Sequence, residues 1–239
     1  MPTAAGIIIG NEILTGKFAD ENGPFLIRRL RELGVDLKRL VTIADDRSVI
    51  AREVAYASEH FDHVFTTGGV GPTHDDVTLE AVAMAFDETV VAHPDLMKLL
   101  DAAGLSDFHS RRMATVPQST ELLWDGNVSF PVVSVRNVYV FPGVPKLFRL
   151  KFEGLAHRFS GPAILTRRLY TTQRESEIAG VLADAQDTWP DVDIGSYPRF
   201  GGEPWKVIVT LESRDATAVE ACYDHLITQI PILDPDEGA

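Results

Sequence analysis

The chain has 239 residues, 45% of them hydrophobic, and a formal net charge of −13. That acidic balance argues against a binder of nucleic-acid backbone, which needs clustered lysine and arginine. The lone cysteine, Cys222, rules out an intrachain disulfide framework, and no window approaches the ~18 apolar residues of a membrane helix.

The expected setting is therefore reducing and cytoplasmic, without a membrane or a nucleic acid as partner. The N-terminus MPTAAGIIIG also lacks the basic flank of a signal peptide.

Residues 5–9 are wholly apolar, as in a strand buried on both faces. Asn22 reads as the cap of a helix with Pro24 in its first turn, a stripe of Phe25, Leu26, Leu30 and Leu33, and Gly34 as its stop. Residues 35–43 read as the next strand. Asp45 or Asp46 then caps a helix running through Ile50, Val54 and Ala57. Residues 64–66 form a third strand, followed by a helix carried by Val77, Leu79, Val82, Ala83 and Phe86, and another over 94–103. This βαβαβα rhythm predicts a mostly parallel sheet with helices on both faces.

Residues 104–127 are less regular. Strands are expected at 130–135 and 138–141, and a helix at 146–159. A boundary falls near residue 160. Beyond it a strand (164–171), a helix (176–185), two strands (193–199 and 206–211) and a last helix (216–229) make a small α+β module with a frayed tail at 234–239.

The segment VFTTGGVGPTHDDVT, residues 64–78, carries the strongest functional signal. Gly68, Gly69 and Gly71 let backbone amides approach an anion, and a following helix N-terminus adds positive potential. Asp75 and Asp76 cannot bind phosphate directly, and they make sense with a divalent cation between them and the phosphate. The alternative is a plain strand–turn–helix connection in which Asp75 is a cap and Asp76 a first-turn charge. Thr66, Thr67, Thr73 and Thr78 around the same bend exceed what a turn requires.

Ligands of an open parallel sheet bind beyond the carboxyl ends of its strands. Glu12, Asp46 and Asp76 all follow such ends, and gathered carboxylates call for a magnesium-like ion. Singly, Glu12 reads as a loop acid and Asp46 as a helix cap. His60 and His63 are spaced as a metal pair but lack a third ligand, so a solvated face is the simpler reading. His74 could meet a phosphate or stay on the turn surface. Arg111 and Arg112 could reach an anionic tail or form a surface pair. Trp189, Phe200 and Trp205 read as core or interface.

GNEILTGKFADEN, ADD, TTGGVGPTHDD and FPGVP, in this order, resemble the molybdopterin-binding-domain family. Within it the chain resembles the CinA type, the N-terminal domain of competence/damage-inducible protein A. The strand pair FPVVSVRNVYVFPGVP also resembles the N-terminal domain of eukaryotic FAD synthases. WDGNVSFP, residues 124–131, departs from the usual CinA pattern.

The resemblance implies a three-layer αβα domain over residues 1–160 and a small KH-like α+β domain over 161–239, with no room for the deamidase domain of full-length CinA. It implies metal-dependent hydrolysis of a nucleotide pyrophosphate, FAD or ADP-ribose, releasing AMP, with magnesium, manganese or cobalt. Asp46 and Asp76 would hold the metal or orient water, and Glu12 would be the base. Gly68, Gly69, Gly71, Pro72 and Thr73 would cradle phosphate, with Asn22 and Thr78 in support, and Gly143 and Pro145 would shape the wall for the adenosine or pterin end. Other implied roles are molybdopterin binding or adenylylation, and non-catalytic nucleotide binding. The resemblance also implies a homodimer or higher homo-oligomer.

Overall fold

The apolar run TAAGIII forms β1 (Thr3–Ile9), buried along nearly all its length. In this computed structural model, which describes residues 1–124 and 130–233, the chain divides into two compact units, the first Met1–Pro162 and the second from Ala163 onward.

In the first unit β1 leads through α1 (Asn11–Leu14) and α2 (Asn22–Glu32) to β2 (Asp36–Ile43), α3 (Arg47–His60) and β3 (His63–Thr67). After the glycine turn come α4 (Thr78–Ala85), β4 (Val90–Ala92), α5 (Pro94–Ala102), α6 (Phe108–Arg111), β5 (Thr115–Pro117) and β6 (Glu121–Leu123). The unit closes with β7 (Val132–Val135), β8 (Val138–Phe141) and α7 (Pro145–Leu155).

Six strands form one sheet in the order β2-β1-β3-β8-β7-β6. The pairs β1–β2, β1–β3 and β3–β8 are parallel, whereas β7 runs antiparallel to both neighbours. One sheet face packs Ile50, Val54, Val82 and Leu96 from α3, α4 and α5. The other packs Leu26 and Leu30 of α2 against Phe148 and Phe152 of α7. This is the three-layer αβα architecture that the sequence predicts.

The second face is built on aromatic rings. Phe65 meets Phe159 edge to face at 4.8 Å, and Phe141 meets Phe148 at 5.3 Å. His63 sits beside Phe65, Tyr139 and Phe159, and burial pushes its imidazole below the ordinary value. His60 instead stacks on Tyr56, so the two histidines serve separate packing roles and do not form a metal pair.

Two caps differ from expectation. Asn22 is the first residue of α2, not its cap; Asp20 accepts from the Asn22 and Gly23 amides and takes that role. Helix α4 begins at Thr78, so neither Asp75 nor Asp76 caps it. The irregular stretch 104–127 contains α6, β5 and β6, and β6 extends the main sheet.

The second unit runs β9 (Leu165–Thr171), α8 (Glu175–Thr188), β10 (Asp193–Pro198), β11 (Val207–Ser213) and α9 (Ala216–Gln229). Its three strands are antiparallel in the order β10-β11-β9. Leu169, Val207, Val209 and Leu211 pack against Ile178 of α8 and Val219, Cys222 and Leu226 of α9. Cys222 is thus a core residue, and burial raises its thiol pKa. Trp189 packs against this core and Trp205 against Tyr170, but Phe200 is 95% exposed and belongs to no core. The tail at 234–239 lies outside the described residues. Among the described residues no helix is long and apolar enough to cross a membrane.

Candidate functional site

Ile9 pairs with Ile43, Ile8 with Thr67, and Thr67 with Phe141, so β1, β2, β3 and β8 end along one rim. Strand order reverses between β1 and β3, the position at which open α/β sheets leave a crevice. The glycine turn lies over that crevice.

Gly68 and Gly69 have φ of 108° and 63°, where side chains are disfavoured. A Cβ on Gly68 would stand 2.0 Å from the Ile9 carbonyl oxygen. The Gly68 amide donates to Phe141 O at 3.2 Å, and the buried Thr78 hydroxyl donates to Gly68 O at 2.8 Å. Thr78 is therefore a strut of the loop, not a ligand contact. Among the described residues, the amides of Gly69, Val70 and Gly71 donate to no partner.

Arg112 holds the outer half of the loop, donating to Thr73 O at 2.5 Å and to Asp76 O at 3.1 Å. Arg111 reaches Ser106 O and Asp101. Arg112 also lines a small cavity with Gly69, Val70, Gly71 and Asp76, whereas Arg111 lines none of the cavities described here. Pro72 and Thr73 face a separate open groove with His74, Arg47 and Arg112. Thr73 donates through its amide and hydroxyl to Asp76 Oδ2, so both of its donors are engaged in orienting that carboxylate.

The acids separate. Asp46 is exposed and caps α3, with Oδ1 accepting from the Ser48 and Val49 amides at 2.8 and 3.0 Å and from the Ser48 hydroxyl. Those bonds hold its carboxyl below the ordinary range. Its neighbour Asp45 instead turns back to the start of α1, accepting from the Asn11 amide at 2.7 Å, and lines neither cavity at the rim. Burial raises the Asp45 pKa; the Asn11 amide opposes the rise, and the charges of Glu12, Asp75 and Asp76 add to it. Among the described residues no three His, Cys, Asp or Glu side chains are gathered closely enough to hold a metal by themselves.

Glu12 and Asp76 line one cavity of about 530 Å³ with Gly68, Gly69, Gly71 and Gly143. Its remaining wall is largely apolar, including Leu79, Val133, Val140 and Leu147. Lys151 is the one basic residue among the described lining residues, and it is 7% exposed. Its ammonium donates to the carbonyls of Phe130 and Pro131. Lys151 was not anticipated from the sequence. The signal was its place in the buried stripe Phe148, Lys151, Phe152, Leu155, spaced as one face of α7. Of the segment 124–131, residues 125–129 lie outside the described residues.

Asn22 and Pro145 line a second cavity, which shares Glu12, Gly143 and Val144 with the first. The expected residues thus divide. Glu12, Gly68, Gly69, Gly71, Asp76 and Gly143 meet in one place, Asn22 and Pro145 stand next to it, and Asp46, Pro72, Thr73 and Thr78 stand outside or behind it.

The family described as "Probable molybdopterin binding domain" matches residues 5–161. The chain belongs to the molybdopterin-binding-domain family. Within that family it aligns with the crystal structure of CinA from Thermoplasma acidophilum, a protein described as of unknown function. The TM-score is 0.62 at 26% identity, covering 66% of this chain and 99% of the other. Residues 163–234 match a further family, "FAD synthase, middle domain".

A protein of Archaeoglobus fulgidus is 35% identical over 90% of this chain and 92% of its own length. A probable FAD synthase of Caenorhabditis elegans is 34% identical over 94% of this chain. The chain spans about half of that relative, 49% of its length. A CinA-like protein of Colwellia psychrerythraea is 26% identical over 96% of the chain.

Proposed function

We propose that the molybdopterin-binding-like unit binds a nucleotide pyrophosphate across its glycine loop and hydrolyses the bond next to AMP, with FAD or ADP-ribose as substrate. The observation that carries this reading is the convergence on one cavity of two carboxylates, a buried ammonium and a loop with three uncommitted amides. The Gly69, Val70 and Gly71 amides suit phosphate oxygens, and Lys151 adds a positive charge where water is scarce. The relatives described as probable FAD synthases support a flavin dinucleotide as ligand.

Carboxylates around a diphosphate repel it unless a cation intervenes. A magnesium-class ion needs only one or two protein carboxylates when the ligand's phosphates complete its shell. Asp76, with Glu12 across the same cavity, fits that demand, although the two form no cage of their own. Such an ion, when bound, would neutralise charge on the diphosphate oxygens. Glu12 takes the proton of the attacking water as its oxygen bonds to phosphorus and the bridging P–O bond breaks, and the bridging oxygen leaves with the other phosphate. Thr73 fixes Asp76, and Thr78 fixes the loop.

AMP release is measured by chromatography after incubating the chain with FAD or ADP-ribose and Mg²⁺, Mn²⁺ or Co²⁺. Release is expected with at least one pair and is lost in Asp76→Asn and Glu12→Gln. No AMP from any combination, or undiminished release by both variants, overturns the reading. The description of the matching family supports a second reading, a pterin in the same cavity with adenylylation from ATP. It predicts tight pterin binding coupled to ATP use.

A further inference from the structure

We infer that Arg112 is a positioning residue for hydrolysis at this site: its guanidinium fixes the turn Thr73–Asp76, and the turn aims the Asp76 carboxylate. This role rests on the hydrolysis reading of the site. The turn is closed by the Asp76 amide, which donates to Thr73 O at 3.3 Å. Thr73 returns its own amide to Asp76 Oδ2 at 2.8 Å, and its hydroxyl donates to the same oxygen. Among the described residues Asp76 Oδ1 accepts from no donor, so it is the oxygen left for a cation. The side chains of His74 and Asp75 at the tip are exposed. Among the described residues, the only hydrogen bonds that reach residues 72–76 from outside the loop come from Arg112. Its Nη1 donates to Thr73 O at 2.5 Å and its Nη2 to Asp76 O at 3.1 Å, one nitrogen for each end of the turn. A planar fork fixes two carbonyls relative to each other, which the single nitrogen of a lysine cannot do.

Arg112 is itself anchored. It follows α6, which Asp107 caps by accepting from the His109 and Ser110 amides at 2.9 and 3.1 Å. It precedes Ala114 and Val116, both fully buried. Glu80 of α4 holds the guanidinium from a third side, with Oε1 3.5 Å from Nη2. Oε2 of the same carboxylate accepts from Arg47, the first residue of α3, at 2.5 Å. The turn is thus tied through one arginine to α3, α4 and α6. A small cavity of about 60 Å³ adjoins the clamp, lined by Arg112 and Glu80 together with Gly69, Val70, Gly71 and Asp76. Arg112 does not line the 530 Å³ cavity, and its donors are spent on carbonyls and a carboxylate. Its loss should therefore act on turnover and not on substrate affinity.

The test uses the full chain, with amide hydrogen exchange followed by NMR and AMP release measured on FAD and ADP-ribose. In the wild type the Thr73 amide is expected to exchange at least about tenfold more slowly than that of His74, a readout that needs no variant to fold. Arg112→Lys and Arg112→Ala are expected to speed Thr73 exchange about tenfold, while the amides of the fully buried Val82 and Leu96 stay within about twofold. Both variants should lower kcat at least about tenfold with KM within about threefold. Methylguanidinium, which fits the space that Arg112→Ala vacates, should restore part of kcat to that variant and none to Asp76→Asn. Arg111→Lys, at the neighbouring arginine that bonds Ser106 O and Asp101, should change neither readout. An unprotected Thr73 amide in the wild type, or exchange that rises equally at Thr73, Val82 and Leu96 in both variants, overturns the positioning role. So does a freed turn with kcat within about twofold of the wild type. In each of these cases AMP release by the wild type leaves the hydrolysis reading standing. A wild type that releases no AMP overturns that reading, and the positioning role with it.

Discussion

Replacing Thr78 by valine tests whether the glycine loop is held from behind. The hydroxyl is fully buried and donates to Gly68 O at 2.8 Å, ten residues back in the chain. Valine keeps the shape and removes the donor. A buried acceptor left without its partner costs about 1–3 kcal/mol. For a unit of this size each ~1 kcal/mol moves the melting temperature by about 2–4 °C, so a fall of about 2–12 °C is expected. Thr78→Ser keeps the donor and loses only a methyl group, and should fall less. Scanning calorimetry of the whole chain reads the effect. Pyrophosphate binding should weaken in the valine variant alone, since the freed carbonyl no longer sets the neighbouring amides. A valine variant as stable as the wild type, or a serine variant as damaged as the valine one, refutes the strut.

Asp46→Ala should lower stability at neutral pH by removing the α3 cap, yet leave AMP release unchanged; turnover falling with it would return Asp46 to the site. The depressed Asp46 pKa means that its contribution is present above the unfolded value and disappears as pH falls through the folded one, so denaturation curves of variant and wild type should converge in acid. Asp45 has the opposite sign. Its folded pKa is raised, so its favourable contribution is full below the ordinary value of 3.8 and is lost as pH climbs through the folded value. Asp45→Asn should abolish that acid-side decline, and a pH profile identical to wild type would contradict the burial argument. Lys151→Met keeps the apolar stem and removes the charge; from the ~1.5–3 kcal/mol of a hydrogen bond to a charged group, pyrophosphate affinity should drop at least about tenfold in calorimetry, and unchanged affinity would remove Lys151 from the site.

What the sequence conveys about this molecule depends on how far each feature reaches along the chain. The buried strands and the glycine turn are local: apolar runs of fixed length and residues able to adopt positive φ are visible without any partner. The Asp45–Asp46 choice is local too, but it turns on a single residue of helix phase. Because α3 starts at Arg47, the preceding Asp46 must cap it, and Asp45 is released to the rim beside Asn11. The same kind of displacement moves the α2 cap to Asp20 and leaves the Asn22 side-chain amide to tie Thr67 of β3 to the Gly143 carbonyl just beyond β8, 121 residues away. That second bond has no local signature, nor does the pairing of β6 with β7 that completes the sheet. Lys151 lies between these cases. Its position in an apolar stripe was readable, but whether such a lysine extends to solvent or turns inward depends on what packs over α7, and here the carbonyls of Phe130 and Pro131 receive it. A charged residue at a helix position reserved for the core is therefore a cue for a site only when tertiary structure also supplies acceptors and a cavity, and both are present here.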